Sequence, residues 1–255
     1  MAPLQPLLLE LPLLLTCWGF SAALMGLSGS HIHQFMSIRD KIANQSPSLP
    51  GFVELDTAGI ERVDLAMLIV GCISFAFIGV FLFLSCGQFK GKRGEYSGKG
   101  TGAWLFVGLV LLTLSGAWTG AVSAMTAWAV KYSYTFTRGP NYSEPFSTEQ
   151  RLYLRQIDVF VREQFSTSLN LAGAPAIDNT FLGVWGSIST IEEANAYLNS
   201  SNFLQLVKSY KAQVAVGWVT IGTVFFTMVV HFALPFAWQR FGLTRQPKKN
   251  SYNEV

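Results

Sequence analysis

Charged residues are scarce in this chain. They make up 13% of its 255 residues, against about a quarter in an ordinary soluble domain. Half of the residues are apolar, and four runs without a charge reach the roughly 20 residues that a helix needs to cross a bilayer. These runs are Leu11 to Ser30, Leu65 to Phe89, Thr101 to Val130 and Ala212 to Trp238. Because backbone groups must be paired inside lipid, the runs predict transmembrane helices and argue against a soluble fold.

The first ten residues lack lysine and arginine and include an acid, Glu10, unlike the basic start of a secretory signal peptide. We therefore expect residues 1–30 to be the N-terminus and a retained first span. Cleavage of this segment is the alternative, and it would leave three spans with the remaining loops on the same sides.

Basic residues predict that two segments lie in the cytosol, because short cytosolic loops are enriched in lysine and arginine. Residues 90–100 carry four basic residues against one acid, and residues 239–255 carry four more after the last span. Residues 31–64 are acid-rich, and residues 131–211 are mixed. With spans at 65–89, 101–130 and 212–238, both termini are expected in the cytosol and the two longer loops outside.

Glycosylation sequons agree with this orientation. Asn44, Asn141 and Asn199 each begin an Asn-X-Ser sequence, and all three lie in the predicted outer loops. Pro47 directly follows the first sequon and lowers its expected use. The sequence therefore predicts a glycoprotein of the secretory pathway that resides in the plasma membrane.

Cysteine is absent from both predicted outer loops. Cys17, Cys72 and Cys86 all lie within predicted spans or at their edges, which excludes a disulfide within the loops. In span number, orientation and loop lengths the chain resembles four-span membrane proteins of the claudin, tetraspanin and fungal PalI type. It lacks their loop cysteines and diagnostic motifs, such as the tetraspanin Cys-Cys-Gly. The resemblance therefore implies the architecture alone and transfers no functional residue.

Residues 131–211 need a source of order other than disulfides. Ser147 to Gln150 matches a capping box ahead of an apolar helical face, and Thr190 to Glu193 predicts a second helix start. A third helical segment, residues 202–211, is expected to continue into the last span. The predicted fold class is all-α: an integral membrane four-helix bundle with a small, mainly helical extracellular or lumenal cap. A loosely ordered glycosylated loop is the alternative.

Small residues predict where helices meet. Gly116, Gly120 and Ala124 recur at four-residue spacing in the third run, which lets another helix approach closely. We expect this stripe to pack within the bundle, with a helix of another protein as the alternative. Glycines of the second and fourth runs are candidates for reciprocal contacts: Gly71, Gly79, Gly217 and Gly222.

Motifs for catalysis, nucleotide binding and paired metal ligands are lacking. We expect no catalytic residue, cofactor or metal, although His31 and His33 are predicted to be exposed at the outer end of the first span. His231 lies inside the fourth span, where an ionisable side chain is a functional candidate by default. Because the spans offer no acidic relay, we expect a neutral His231 that is hydrogen-bonded between helices. A polar path lined by His231 is the alternative.

The C-terminal tail carries a short sorting pattern. Tyr252 and Val255 are spaced as the aromatic and aliphatic anchors of a tyrosine signal, which binds a cytosolic adaptor as an extended strand. The expected partners are membrane lipids, other integral membrane proteins and such an adaptor, and no nucleic acid. These features favour a non-enzymatic membrane organiser or accessory subunit. A small channel or transporter, with His231 lining its path, is the alternative.

Overall fold

Helices dominate the computed structural model, which describes residues 6–45, 51–90, 101–131, 133–165, 182–201 and 207–240. In chain order the elements are α1 (Pro6–Gln45), β1 (Val53–Asp56), α2 (Ala58–Lys90), α3 (Thr101–Lys131), β2 (Thr135–Arg138), α4 (Thr148–Gln164), a 3-10 helix (Gly183–Ser187), α5 (Ile191–Ser200) and α6 (Lys208–Arg240). The expectation of a mainly α-helical chain is confirmed.

Four of these helices are long and apolar enough to cross a membrane. Their candidate spans are Glu10–Ile42, Ala58–Phe83, Leu105–Val130 and Lys208–Ala233, in α1, α2, α3 and α6. Each span overlaps one of the charge-free runs of the sequence. The chain is therefore an integral membrane protein with four spanning helices, as predicted.

The four long helices form a bundle in the cyclic order α1, α2, α3, α6, with each helix packed on two neighbours. Buried positions recur at alternating steps of three and four residues. In α2 this series is Ile60, Asp64, Met67, Gly71, Ser74, Ile78 and Phe81, and Val63 beside it is also buried. This alternation is the 3.5-residue repeat by which helices wind round one another with a left-handed twist. The opposite faces carry large exposed apolar side chains such as Phe83 and Leu109, which suits contact with lipid tails.

Glycines set the spacing of several helix pairs. Of the four glycines predicted to make close contacts, Gly71 and Gly79 have close neighbours on α1, and Gly217 has one on α3. At Gly217 of α6, an added Cβ would lie 2.8 Å from a methyl carbon of Val122 on α3. Close approach at these three glycines is confirmed, but their neighbours are not the glycines of the α3 stripe. The fourth is wrong, because an added Cβ at Gly222 would have no atom within 4 Å.

A cap covers the end of the bundle where α1 and α3 finish, and it joins the two predicted outer loops. Strand β1 comes from the first loop and β2 from the second; they pair antiparallel, with Val53 opposite Arg138. Asn195 of α5 completes the free edge of β2. Its Oδ1 accepts from the Phe136 N–H at 2.7 Å, and its Nδ2 donates to the Phe136 carbonyl at 2.9 Å. Four-residue strands are too short to show a clear period in sequence, so this sheet was not predicted.

Both predicted helix starts of the cap are confirmed. The Ser147 hydroxyl accepts from the Gln150 N–H at 3.2 Å, and the Gln150 side chain accepts from the Ser147 N–H at 2.7 Å. The Thr190 hydroxyl accepts from the Glu193 N–H at 3.3 Å, which caps α5. Each cap satisfies backbone donors that the first turn of a helix leaves unpaired. The expected continuation of residues 202–211 into α6 holds from Lys208, while 202–206 lie outside the described residues.

The described part of the cap has a packed apolar core, which rules out a loosely ordered loop there. Its buried side chains include Phe52, Phe136, Phe146, Leu154, Ile157, Val161, Trp185, Ile188, Ile191 and Leu198. They come from both outer loops. Pairing the two loops therefore supplies the core that neither segment has alone.

Helix α1 does not end at residue 30, where we expected an outer loop to begin, but continues to Gln45. The reason is that the spacing of its buried residues continues past residue 30, and Phe35 and Ile38 are both buried. Phe35 lies 5.2 Å, between ring centroids, from Phe165 at the end of α4, and Phe165 lies 6.4 Å from Tyr210 of α6. The contacts among these three rings attach the cap to the bundle.

Candidate functional site

Five polar side chains meet inside the bundle at its cap end, and we refer to them as the cap-side cluster: Ser28 and His31 of α1, Asp64 of α2, and Tyr210 and Gln213 of α6. All are buried, with at most 1% of each residue exposed. They occupy successive inward positions of the 3.5-residue repeat, so the same geometry that packs the bundle brings them together. A polar group of this size inside a membrane protein is expensive unless its members satisfy one another.

Asp64 is the centre of the cluster. The Tyr210 hydroxyl donates to its Oδ2 at 2.9 Å, and the Gln213 amide nitrogen donates to its Oδ1 at 2.9 Å. The same amide nitrogen donates to the Ser28 hydroxyl at 2.8 Å. Both carboxylate oxygens of Asp64 therefore accept a hydrogen bond from α6.

His31 lies against the carboxylate and completes the cluster. Its Nδ1 is 3.5 Å from Asp64 Oδ1, and its ring stacks on Tyr210 with centroids 4.0 Å apart and planes inclined by 22°. Neither ring nitrogen has a hydrogen-bond partner among the described residues. The Gln213 Oε1 also has no partner among them. The 3.5 Å approach is thus an ion-pair distance without hydrogen-bond geometry.

A charged pair lies next to the cluster on the side of the cap. Arg39 of α1 and Glu61 of α2 are 3.4 Å apart, with 43% and 17% of their side chains exposed. Glu61 also accepts from the Thr57 hydroxyl. Since Glu61 is one turn before Asp64, this pair stands between the buried carboxylate and the surface.

His231 has an acidic partner at the other end of the bundle. Its Nδ1 lies 3.3 Å from Glu10 Oε1 of α1, and both residues are buried. We expected Glu10 to lie near the edge of the first span and to form no relay with His231. The contact differs from that expectation because α1 begins at Pro6, so Glu10 is a buried residue of this helix.

Each of the two acid–histidine pairs has one member on α1: His31 pairs with Asp64 of α2, and Glu10 pairs with His231 of α6. Twenty-one residues separate Glu10 from His31, about 32 Å of helix, close to the thickness of the hydrocarbon layer. Between them, Cys17 Sγ and Thr227 Oγ1 are 3.5 Å apart. The Thr227 and Ser21 hydroxyls donate to the carbonyls one turn earlier in their own helices. The Thr227 and Ser21 hydroxyls are therefore satisfied within their own helices.

Of the two histidines expected to be exposed at the outer end of the first span, His33 agrees with the expectation and His31 does not. His33 is exposed, but His31 is buried because it occupies an inward position of α1. No group of three or more histidine, cysteine, aspartate or glutamate side chains that could hold a metal ion occurs in the described ranges.

The small-residue stripe of α3 faces outward. Gly116, Gly120 and Ala124 are exposed, and an added Cβ at either glycine would have no atom within 4 Å. The expectation that this stripe packs within the bundle is wrong. The inward repeat of α3 runs through Leu111, Trp118 and other residues instead.

The predicted sequons are placed differently from one another. Asn141 is exposed in a turn after β2. Asn199 is half-buried near the end of α5, and its Oδ1 accepts from the Ser133 N–H at 3.2 Å. Asn44 lies in the last turn of α1, but its side chain is outside the described part of the structure. Tyr252 and Val255 of the tail also lie outside the described residues. Glycosylation and adaptor binding stay predictions.

A separate polar group holds the cap together. The Tyr134 hydroxyl donates to the Asp158 carboxylate, whose Oδ1 also accepts from Arg162 Nε at 2.8 Å. Burial, and then the negative charge of Asp158, raise the pKa of Tyr134 well above its ordinary value. Tyr134 therefore stays a neutral donor, and it ties the end of α3 to α4.

Sequence reasoning missed Asp64, Tyr210 and Gln213 because they were assigned to loop ends or passed over within a run. A signal did exist: Asp64, Met67 and Gly71 continue the step of three and four residues from the second run. Extending the periodicity outward from each run would have placed Asp64 inside.

No known protein family, curated protein or solved structure matches this chain.

Proposed function

We propose that this protein is a non-enzymatic membrane organiser or accessory subunit that binds another integral membrane protein laterally, through α3. The observation that carries the proposal is the outward direction of the Gly116, Gly120 and Ala124 stripe. Small residues let two helix backbones approach closely, and close approach is a main source of helix association in lipid. The bundle does not use this surface itself.

The composition of α3 supports this use of the stripe. From Thr113 to Ala127 its exposed positions are small or hydroxylated: Thr113, Gly116, Ala117, Thr119, Gly120, Ser123, Ala124 and Ala127. Val130, at the cap end, is the exposed residue that departs from this composition. The exposed positions of its other half include Leu105, Phe106, Leu109 and Leu112. The part of α3 whose exposed side chains are small therefore lies next to the cap. A partner helix bound there would contact the folded cap as well.

We further propose that the cap lies outside the cytosol, that both termini lie inside it, and that the protein resides in the plasma membrane. The excess of basic residues at 90–100 and 239–255 supports this orientation, as do the sequons at Asn141 and Asn199. Adaptor binding by Tyr252 and Val255 is part of the same proposal.

The test is gentle extraction of the tagged protein, followed by native mass determination and identification of what co-purifies. A stoichiometric membrane partner is expected, and Gly116→Leu with Gly120→Leu should remove it. Gly222→Leu is the matched control, because Gly222 is equally open but lies on α6 outside the stripe. A partner that the double variant retains, or a lone monomer, would contradict lateral binding through α3.

A small channel or transporter is the second candidate, favoured by the contact between His231 and Glu10. Acid–histidine pairs inside a membrane recur in proton relays. A partner-free homo-oligomer in the native mass measurement would favour this candidate. Proton flux into liposomes, lost in His231→Ala and kept in His33→Ala, would then establish it.

A further inference from the structure

The Asp64 carboxylate lies in an apolar bundle and needs a positive charge nearby. It is fully buried, and the side chain in contact with it that can become a cation is His31, at 3.5 Å. An ionised Asp64 beside a neutral His31 leaves one uncompensated negative charge in a low dielectric, which is strongly unfavourable. One added proton makes the pair neutral overall.

We propose that Asp64 and His31 form a proton-binding site, which takes up one proton from the cap side of the membrane and holds it on His31 as an ion pair. The ligand is the proton alone. The proposal is independent of the function proposed above, since it concerns an equilibrium of the isolated protein and requires neither a partner nor transport.

The surroundings of the pair are compatible with proton exchange. From α1, Arg39 approaches the region; from α2, Glu61 lies one turn from Asp64; and from α6, Tyr210 and Gln213 contact the carboxylate. Phe165, at the end of α4, contacts Tyr210 and is uncharged. Arg39 is 43% exposed and paired with Glu61, so this partly exposed pair offers the cluster its nearest polar contact with the surface.

Protonation of the His31–Asp64 pair would affect the aromatic contacts that attach the cap to the bundle. Tyr210 stacks on His31, donates to Asp64 and contacts Phe165. It therefore belongs both to the proton site and to the ring contacts between the cap and the bundle. A change in charge on the pair alters the Tyr210 hydrogen bond. We therefore expect the attachment of α4 to the bundle to depend on the pH of the cap side.

Histidine NMR of the labelled full chain in detergent tests the site directly. The chain has three histidines, so His31→Gln, His33→Gln and His231→Gln assign every imidazole signal. His31 is expected to bind its proton about tenfold more tightly than exposed His33, which is the reference. In Asp64→Asn the order should reverse, because burial without the anion disfavours the charged ring.

Three outcomes of the titration would overturn the proposal: a His31 that stays neutral at every pH, one that stays charged at every pH, and a midpoint that Asp64→Asn leaves unchanged. The titration is repeated with sodium chloride and with choline chloride at one ionic strength. Equal His31 midpoints are expected. A midpoint lowered by sodium would mean that the site binds a cation in place of the proton.

Thermal unfolding against pH covers the case in which Asp64→Asn does not fold. A histidine that binds its proton more tightly when folded stabilises the protein fully below the unfolded pKa of about 6.5, and this stabilisation disappears as pH rises through the folded pKa. The unfolding midpoint of the wild type should therefore fall across this range. The fall should be smaller in His31→Gln than in the wild type and unchanged in His33→Gln, since the His231–Glu10 pair is present in both variants. Equal slopes in all three proteins would overturn the proposal.

Discussion

At Gly217 the lack of a side chain decides how closely α3 and α6 approach. An added Cβ would lie 2.8 Å and 3.1 Å from the two methyl carbons of Val122. Valine is stiff at χ1, so it has little freedom to move aside. Gly222, five residues later on the same helix, has open space at the corresponding point.

We expect Gly217→Ala to destabilise the protein by about 1 to 3 kcal/mol, since it overpacks a helix contact. Gly222→Ala, the matched control, should stay within about 0.5 kcal/mol of the wild type. Reversible unfolding in mixed micelles measures both. Equal effects at the two positions would show that α3 and α6 do not pack through Gly217.

Tyr134 gives the cap a dependence on alkaline pH. Its pKa is raised by burial and by the charge of Asp158, whereas in the unfolded chain it ionises near pH 10. Its contribution to stability is therefore fully present below about pH 10, and it is lost as pH rises towards the folded pKa.

Tyr134→Phe should lower stability by about 1 to 3 kcal/mol at neutral pH, because Asp158 loses a buried donor. It should also reduce the loss of stability between about pH 8 and about pH 11. Unfolding midpoints at the two pH values measure this, with Tyr153→Phe as the control. If Tyr134→Phe keeps the full alkaline loss, Tyr134 is not its source.

At the scale of elements, β2 depends on a helix for one of its edges. Asn195 of α5 pairs with both backbone groups of Phe136, which is 2% exposed. Without this amide, a buried N–H and a buried carbonyl would be unsatisfied. A side chain thus takes the place of a third strand.

Asn195→Leu should destabilise the cap, at about 1 to 3 kcal/mol for each unsatisfied group, and should speed amide hydrogen exchange in β2. Glu192→Ala on the same helix is the control: it removes an exposed ion pair with Arg138, and such pairs contribute little. Exchange in β2 as slow in Asn195→Leu as in the wild type would contradict this role of Asn195.

At the scale of the whole molecule, the cap lies at one end of a four-helix bundle. The side of the membrane on which the cap lies decides which proteins it can contact. The loop charges and the sequons at Asn141 and Asn199 support the proposal that this end lies outside the cytosol. Segment 90–100 should then lie inside. This orientation is a prediction that glycosylation can test.

Asn141→Gln and Asn199→Gln should each remove one glycan from the protein made in a secretory cell. Glu95→Asn creates a new sequon, Asn-Tyr-Ser, in the 90–100 segment and should add none. Mobility with and without glycosidase measures the glycan count. A glycan gained by Glu95→Asn would reverse the proposed topology.

The sequence by itself determined the four spans, the capping box at Ser147 and the helix start at Thr190. Each is a local property: a charge-free run of membrane length, or a hydroxyl three residues ahead of a partner. Local signals survive without knowledge of the rest of the chain, which is why these predictions were confirmed.

Only the tertiary structure decided which face of each helix is inside. In lipid both faces of a helix are apolar, so hydrophobicity does not separate the inward residues of α3 from the outward Gly116 and Gly120. The meetings of Asp64 with His31, and of Glu10 with His231, join residues that are distant in the chain. They arise because the 3.5-residue repeat of the packed bundle turns those positions towards one another.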